Sequence, residues 1–259
     1  MKQYKKLIRL IITLGVIGLC LLTATPAQAD APPSGCVIVH RGLGPENSIR
    51  ALGKAIRRGA CGFETDVRFT RDNVGILNHD PTLNRTTNGT GRVTNRSWRY
   101  VSRLHIGRSS AHVGTYQQGL VLCRDSKAQA CMFEAKQGAT QAQVRSMAAD
   151  AVRIMGTSLH KLTIEADTYG QVRTIKKDFP QVAVAYVGFN SWPSVSKVKA
   201  SGADGIIVNR TVMSHARVTS AAQAGLWVTP YTVETRKQFR SVQHMGAHGA
   251  MTDSSRLIG

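Results

Sequence analysis

Acidic residues are scarce in this sequence: 15 aspartates and glutamates stand against 34 lysines and arginines in 259 residues, a formal net charge of +19. Such a surface favours anionic partners: phosphates, acidic wall polymers, anionic lipid or nucleic acid. Aromatics are only 6% of the chain. They are not interleaved with a basic patch, and the positive charges are scattered, which excludes a dedicated nucleic-acid surface and leaves solubility and loose adhesion to an anionic envelope. Long apolar runs are also missing. The longest, Leu10–Leu22, has 13 residues, short of the roughly 20 that a membrane-spanning helix needs. Nowhere downstream is there a long apolar surface run for lipid docking. Only five cysteines occur, at spacings that do not suit a zinc site.

The short apolar run has its own meaning. Lys2, Lys5, Lys6 and Arg9 precede it and Ala27-Gln28-Ala29 follows it, which is the pattern of a secretory signal cleaved near Ala29. Leu19 before Cys20 argues against a lipoprotein. A secreted protein is therefore expected, with a single domain over 30–259. Removing the first 29 residues and their four basic side chains leaves 230 residues with a net charge of +15. Four cysteines remain. An even number in an exported chain implies disulfides. Three connectivities are open, with Cys36–Cys61 and Cys123–Cys131 preferred.

Periodicity alternates between strand and helix. Strands are predicted at Cys36–Val39, Phe63–Phe69, Cys131–Ala135, Leu162–Ala166, Val182–Val187, Gly205–Val208, Leu226–Tyr231 and Gly249–Thr252. Helices are predicted at Asn47–Arg58, Thr140–Met155, Tyr169–Phe179, Ser194–Ala200, His215–Ala224 and Thr235–Met245. A further short strand, Gly75–Leu77, leads into Asn78-His79. Asn84 to Ser126 reads as a long loop with one helical turn near Trp98–Leu104. Eight repeats in about 230 residues point to an α/β fold, a (β/α)8 barrel with its working face at the C-terminal strand ends. No Gly-x-Gly-x-x-Gly follows the first strand to support an open, doubly wound sheet. In the barrel, Cys36 and Cys61 open neighbouring strands at the opposite rim, roughly within disulfide reach.

On that barrel His40, Glu64, Asp66, Glu134, Lys136 and Tyr231 converge near one rim. Glu64 and Asp66, two apart on a strand, point the same way. Glu-x-Asp alone is usually a solvated strand face, but Glu134 adds a third carboxylate at the same rim. Three hard oxygen donors select Mg²⁺ or Ca²⁺. His40 and His79 flank them as a general acid and base pair. Arg41 and Lys136 could neutralise a bound phosphate or balance the carboxylates.

The runs His40-Arg41-Gly42 through Pro45-Glu46-Asn47, Glu64-x-Asp66 and His79-Asp80-Pro81-Thr82-Leu83 through Gly91 resemble the glycerophosphodiester phosphodiesterase family. So do Glu134-Ala135-Lys136, the segment Val228–Val233 and the closing Gly246–Asp253. The resemblance spans essentially the chain after Ala29. It implies a (β/α)8 barrel, a divalent cation and cleavage of small glycerophosphodiesters to sn-glycerol 3-phosphate and an alcohol. His40 and His79 would be acid and base, Glu64, Asp66 and Glu134 metal ligands, Arg41 and Lys136 phosphate contacts, and Glu46 a support for metal or substrate. Tyr231 stands where the family carries Trp, which bears on the pocket wall. Cys123–Cys131 replaces the family's usual helix lead-in, so a reduced insertion after the second strand is expected. A monomer is expected, with anionic envelope polymers or a lipid surface as further partners. Two alternatives stay open: a related barrel of phospholipase D or C type acting on intact or lysolipids, and a non-catalytic cationic envelope-binding protein.

Overall fold

Short β-branched runs pair in parallel because each intervening helix carries the chain back across the outside of the sheet. The computed structural model describes residues 31–258. Its strands are β1 Val37–His40, β2 Gly62–Phe69, β3 Gly75–Leu77, β4 Ala130–Ala135, β5 Leu162–Ala166, β6 Ala183–Phe189, β7 Gly205–Asn209, β8 Trp227–Tyr231 and β9 Ala250–Thr252. Its helices are α1 Ile49–Arg57, α2 Trp98–Val101, α3 Tyr116–Asp125, α4 Gln141–Met155, α5 Tyr169–Asp178, α6 Val195–Ala200, α7 His215–Gln223 and α8 Arg236–His244. The targeting segment expected over residues 1–29 lies outside the described residues. Among the described residues no helix is long and apolar enough to cross a membrane.

Eight strands follow the order β8-β7-β6-β5-β4-β2-β1-β9, every neighbour parallel. The seam between β8 and β9 is crossed by Val233 N–H to Met251 O and His248 N–H to Val228 O, both 2.8 Å. The result is a nearly closed (β/α)8 barrel in one domain. Strand alternation sorts side chains onto two faces. Phe63, Phe133, Ile164, Val184, Ile206 and Val228 pack outward under the helices. Ile38, Met132, Val187, Ile207, Met251 and Trp227 fill the interior.

The short strand β3 departs from the parallel pattern. It pairs antiparallel with the far end of β2, Val67 opposite Leu77, so the chain folds back and returns Asn78-His79 to the barrel mouth. The segment beyond, up to Val113, builds its own small core from Ile76, Leu83, Val93, Val101, Leu104, Ile106 and Val113.

The loop expected over Asn84 to Ser126 needs correction at its end, because Tyr116–Asp125 is a helix. Its signals are in the sequence. Thr115 and Gln118 form a capping box, and Tyr116, Gly119, Leu120 and Cys123, spaced three and four apart, are the buried positions. Loop-like composition upstream obscures them. A Cβ on Gly119 would lie 2.7 Å from the Phe133 ring, so glycine lets α3 approach β4. Two disulfides fasten the frame. Cys36–Cys61, with Cα atoms 5.3 Å apart, joins the starts of β1 and β2 at the rim opposite the mouth. Cys123–Cys131, at 6.1 Å, ties α3 to the start of β4.

The barrel floor rests on one close fit. Trp227 packs over Gly205, where a Cβ would stand 2.1 Å from the indole. Because interiors are close-packed, Gly205→Ala is expected to cost about 1–3 kcal/mol by overpacking. In thermal unfolding that lowers Tm by about 2–4 °C per kcal/mol. An unchanged Tm would show that the floor yields.

Candidate active site

Strands β2, β4 and β5 place carboxylates side by side toward the C-terminal rim, next to His40 at the end of β1. Register sets Asp66 opposite Glu134 and Glu134 opposite Glu165, on strands roughly 4.8 Å apart. Glu64, Asp66, Glu134 and Glu165 are 1%, 0%, 8% and 2% exposed, so their mutual repulsion is poorly screened by water. Two cations answer part of it. Lys136 Nζ lies 2.9 Å from Glu134 and 3.3 Å from Asp66, and Arg41 Nε lies 3.1 Å from Asp66. Burial opposes a charge on Asp66, but Lys136 and Arg41 outweigh it and hold the carboxyl below its ordinary pKa. Glu64 goes the other way. Burial first, then Asp66, Glu165 and Glu134, push it well above the ordinary value.

One oxygen from each of Glu64, Asp66 and Glu134 lies within 4.8 Å of the others. Among the described residues, none hydrogen-bonds to either oxygen of the buried Glu64 or to Oδ1 of Asp66, which has only the ion-pair approach of Lys136 at 3.3 Å. Orphaned hard oxygens at this spacing fit a divalent cation.

Backbone conformation aims these groups. Arg41 has φ 57°, in the left-handed region that costs an ordinary residue roughly 1–2 kcal/mol. Its N–H bonds to Glu64 O at 2.9 Å, and the turn directs its guanidinium to Asp66. Asn47, also left-handed with φ 58°, is expected from the sequence to start α1. In the structure Ser48 caps that helix, while the buried Asn47 side chain donates to Asp66 Oδ2 at 2.8 Å and accepts from Asp66 N–H and Thr65 Oγ1. Asn47 is thus a positioning group for Asp66.

Both histidines reach the same cleft, each held from behind. His40 Nδ1 donates to Asp253 Oδ1 at 2.6 Å, and its Nε2 lies 3.6 Å from Glu64. His79 Nδ1 donates to Asp80 Oδ1 at 2.7 Å. A carboxylate at Nδ1 fixes the tautomer and leaves Nε2 for chemistry. Arg85 clamps Asp80 at 2.6 Å and in turn takes both oxygens of Glu46, at 2.6 and 3.0 Å. Glu46, expected to support metal or substrate, is placed three links behind His79, through Arg85 and Asp80. Burial lowers the His79 pKa, with Asp66 and Asp80 opposing. Asn78 N–H bonds to Asp66 O at 3.0 Å, tying the His79 turn to the carboxylate strand.

The cleft has a volume of about 140 Å³. His40, His79, Glu64, Glu134, Glu165 and Lys136 line one side; Val187, Phe189, Ile207, Tyr231 and Met251 line the other. Tyr231 stacks against His40 with ring centroids 6.5 Å apart, and burial raises its phenol to about 12. The structure therefore gathers His40, Arg41, Glu64, Asp66, His79, Glu134, Lys136 and Tyr231 around one mouth. Asp253, Asp80, Arg85 and Glu165 are the members that the sequence reading missed. Glu165 carries a visible signal, because Ile164-Glu165-Ala166 repeats Phe133-Glu134-Ala135 one strand later.

The glycerophosphoryl diester phosphodiesterase family matches residues 40–257. YhdW of Bacillus subtilis, which carries the name glycerophosphodiester phosphodiesterase, is 26% identical over 84% of this chain and 93% of its own. Human glycerophosphodiester phosphodiesterase 1 is 32% identical over 38% of this chain and 36% of its own. Among solved structures, an Oleispira antarctica phosphodiesterase in complex with the product sn-glycerol-3-phosphate superposes with a TM-score of 0.74, at 20% identity, over 84% of this chain and 92% of that one. A Parabacteroides distasonis glycerophosphodiester phosphodiesterase gives 0.73 at 23% identity over 86% and 94%. At these identities the two structures share the fold.

Burial, then Glu134 and Asp66, raise the Glu165 pKa well above its usual value. A folded-state pKa above the unfolded one gives stability that is fully present below the unfolded pKa and lost as pH rises through the folded pKa. Glu165→Gln removes that loss. With chelator present, the Tm gain of the variant over wild type should be larger at pH 8 than at pH 4.5, by about 2–4 °C for each kcal/mol relieved. Equal gains at both pH values would refute it.

Proposed function

Because the chain belongs to the glycerophosphoryl diester phosphodiesterase family, we propose that it hydrolyses glycerophosphodiesters to sn-glycerol 3-phosphate and an alcohol, aided by Mg²⁺ or Ca²⁺. The observation that carries this is the pair of histidines, each braced by a carboxylate at Nδ1, flanking a buried carboxylate triad in one cleft. Glu64, Asp66 and Glu134 would hold the cation. When bound, such an ion offsets charge on a phosphoryl oxygen and lowers the pKa of coordinated oxygen donors. Arg41 and Lys136 neutralise the phosphodiester. One histidine takes a proton from the attacking oxygen; the other protonates the leaving alkoxide as its P–O bond breaks. The apolar wall of Val187, Phe189, Ile207 and Met251 seats the carbon skeleton of the substrate. The N-terminal basic-apolar segment and the two disulfides support export, so the substrate would be met outside the cell.

The test is release of glycerol 3-phosphate from glycerophosphocholine, glycerophosphoethanolamine and glycerophosphoglycerol, with Mg²⁺, Ca²⁺ or chelator. Turnover should need the cation, and His40→Ala or His79→Ala should lower kcat by about 10²–10⁴-fold. At 100 times its Kd the cation should add about 2.7 kcal/mol of stability, a gain that Glu64→Gln abolishes. Turnover of sphingomyelin or lysophospholipid with no release from the three diesters would overturn the assignment.

A further inference from the structure

Beside the catalytic cleft, and sharing Lys136 with it, lies a second cavity of about 330 Å³. Its charged lining is Arg68, Arg92 and Lys136, with no carboxylate on any wall among the described residues. Lys136 is committed to Glu134 and Asp66. The two arginines are not so committed. Arg68 donates only to carbonyls, Nε to His79 O at 2.7 Å and Nη1 to Gln137 O at 3.3 Å. Its guanidinium is half-buried, and that burial lowers its pKa against the opposing pull of Asp66, Glu134 and Asp80, none of which it hydrogen-bonds, with Arg92 adding a smaller push in the same direction as burial. Arg92 is exposed at the same rim. Elsewhere in the chain Arg85, Arg124, Arg145 and Arg153 each hold a carboxylate. Among the described residues neither guanidinium is hydrogen-bonded to a carboxylate, so both keep N–H donors available to an anion in the space between them.

We propose that this cavity binds a second phosphate of the substrate. The deduction rests on the hydrolytic reading above and narrows it. The favoured substrates are glycerophosphodiesters whose leaving alcohol itself carries a phosphate or a further phosphodiester. The scissile phosphate sits between His40 and His79, and the alcohol passes Lys136. Its outer phosphate meets the planar forks of Arg68 and Arg92, which suit phosphate oxygens. Repeating glycerol phosphate and phosphorylated inositol both present that chemistry.

The experiment compares kcat/KM for glycerophosphoglycerol against bis(glycerophospho)glycerol, and for glycerophosphoinositol against its 4-phosphate. Wild type should prefer the two-phosphate member of at least one pair, and the pair that responds identifies the source. Arg92→Ser should reduce that preference by about three- to tenfold while one-phosphate turnover stays within about twofold. Lys237→Ser removes the same charge from α8, outside the cavity, and should leave the preference intact. Calorimetric Kd values for the same pairs read the cavity directly, without cation, even if nothing is hydrolysed. The proposal is overturned if wild type shows no preference by either readout, if Arg92→Ser keeps it, or if Lys237→Ser loses it equally. Absence of any turnover with a calorimetric preference intact would instead count against the hydrolytic reading alone.

Discussion

Unscreened repulsion among carboxylates inside the barrel is the constraint on which the remaining structure depends. Asp66, Glu134 and Glu165 stand in register on adjoining strands, with Glu64 one turn of the pleat below Asp66. A chain with so few acidic residues places four of them at 8% exposure or less. Nothing in the packing of the strands requires this; Val or Ile would bury more favourably. The arrangement is tenable because cations are brought to it, Lys136 from the end of β4 and Arg41 through a left-handed turn, and the orphaned oxygens of Glu64 and Asp66 are suited to a metal ion as well. Site and stability are therefore the same electrostatic problem.

The histidines obey a related logic at lower burial. Each imidazole is aimed by a carboxylate that is itself secured, Asp80 by Arg85, which Glu46 holds in turn, and Asp253 by its N–H bond to Glu234 at 3.2 Å. Orientation comes from behind, so the nitrogens facing the cleft stay free. The aromatic and aliphatic wall opposite supplies no charge, so the mouth is divided into a charged half and an apolar half.

Much of the fold was legible because its signals are local. Leu162–Ala166 is bounded as its β-branched run suggests, and most other elements differ by a residue or two. Helix α3 was not, because Thr115 and Gln118 close a stretch whose Thr, Asn, Gly and Arg content reads as loop. The clustered carboxylates Glu64, Asp66 and Glu134 were legible from acids that follow short apolar runs. Their supports were not. Asp253 lies 213 residues from His40, and no spacing rule links them until the barrel closes. Asn47 looked like a helix start, and only the register of β2 reveals that its amide serves Asp66. Glu165 could have been found from its likeness to the Glu134 segment, but a lone carboxylate in a strand offers no chemical partner in one dimension.

The excursion after β3 leaves and re-enters the barrel through a gap one hydrogen bond wide, Leu77 N–H to Gly114 O at 2.9 Å. Its tip, Gly107–Ser110, is mostly exposed. A segment whose ends already meet can be lengthened cheaply, since doubling a loop adds only about 0.6 kcal/mol of closure entropy. His79 and its brace lie at the root of this excursion, ahead of the tip. Yet the tip folds back on that brace: Gly107 N–H bonds to Thr86 O at 2.8 Å, and Gly107–Ser109 share a cavity wall with Arg85 and Glu46, so chain grafted there, however cheap to close, bears directly on the clamp that aims His79.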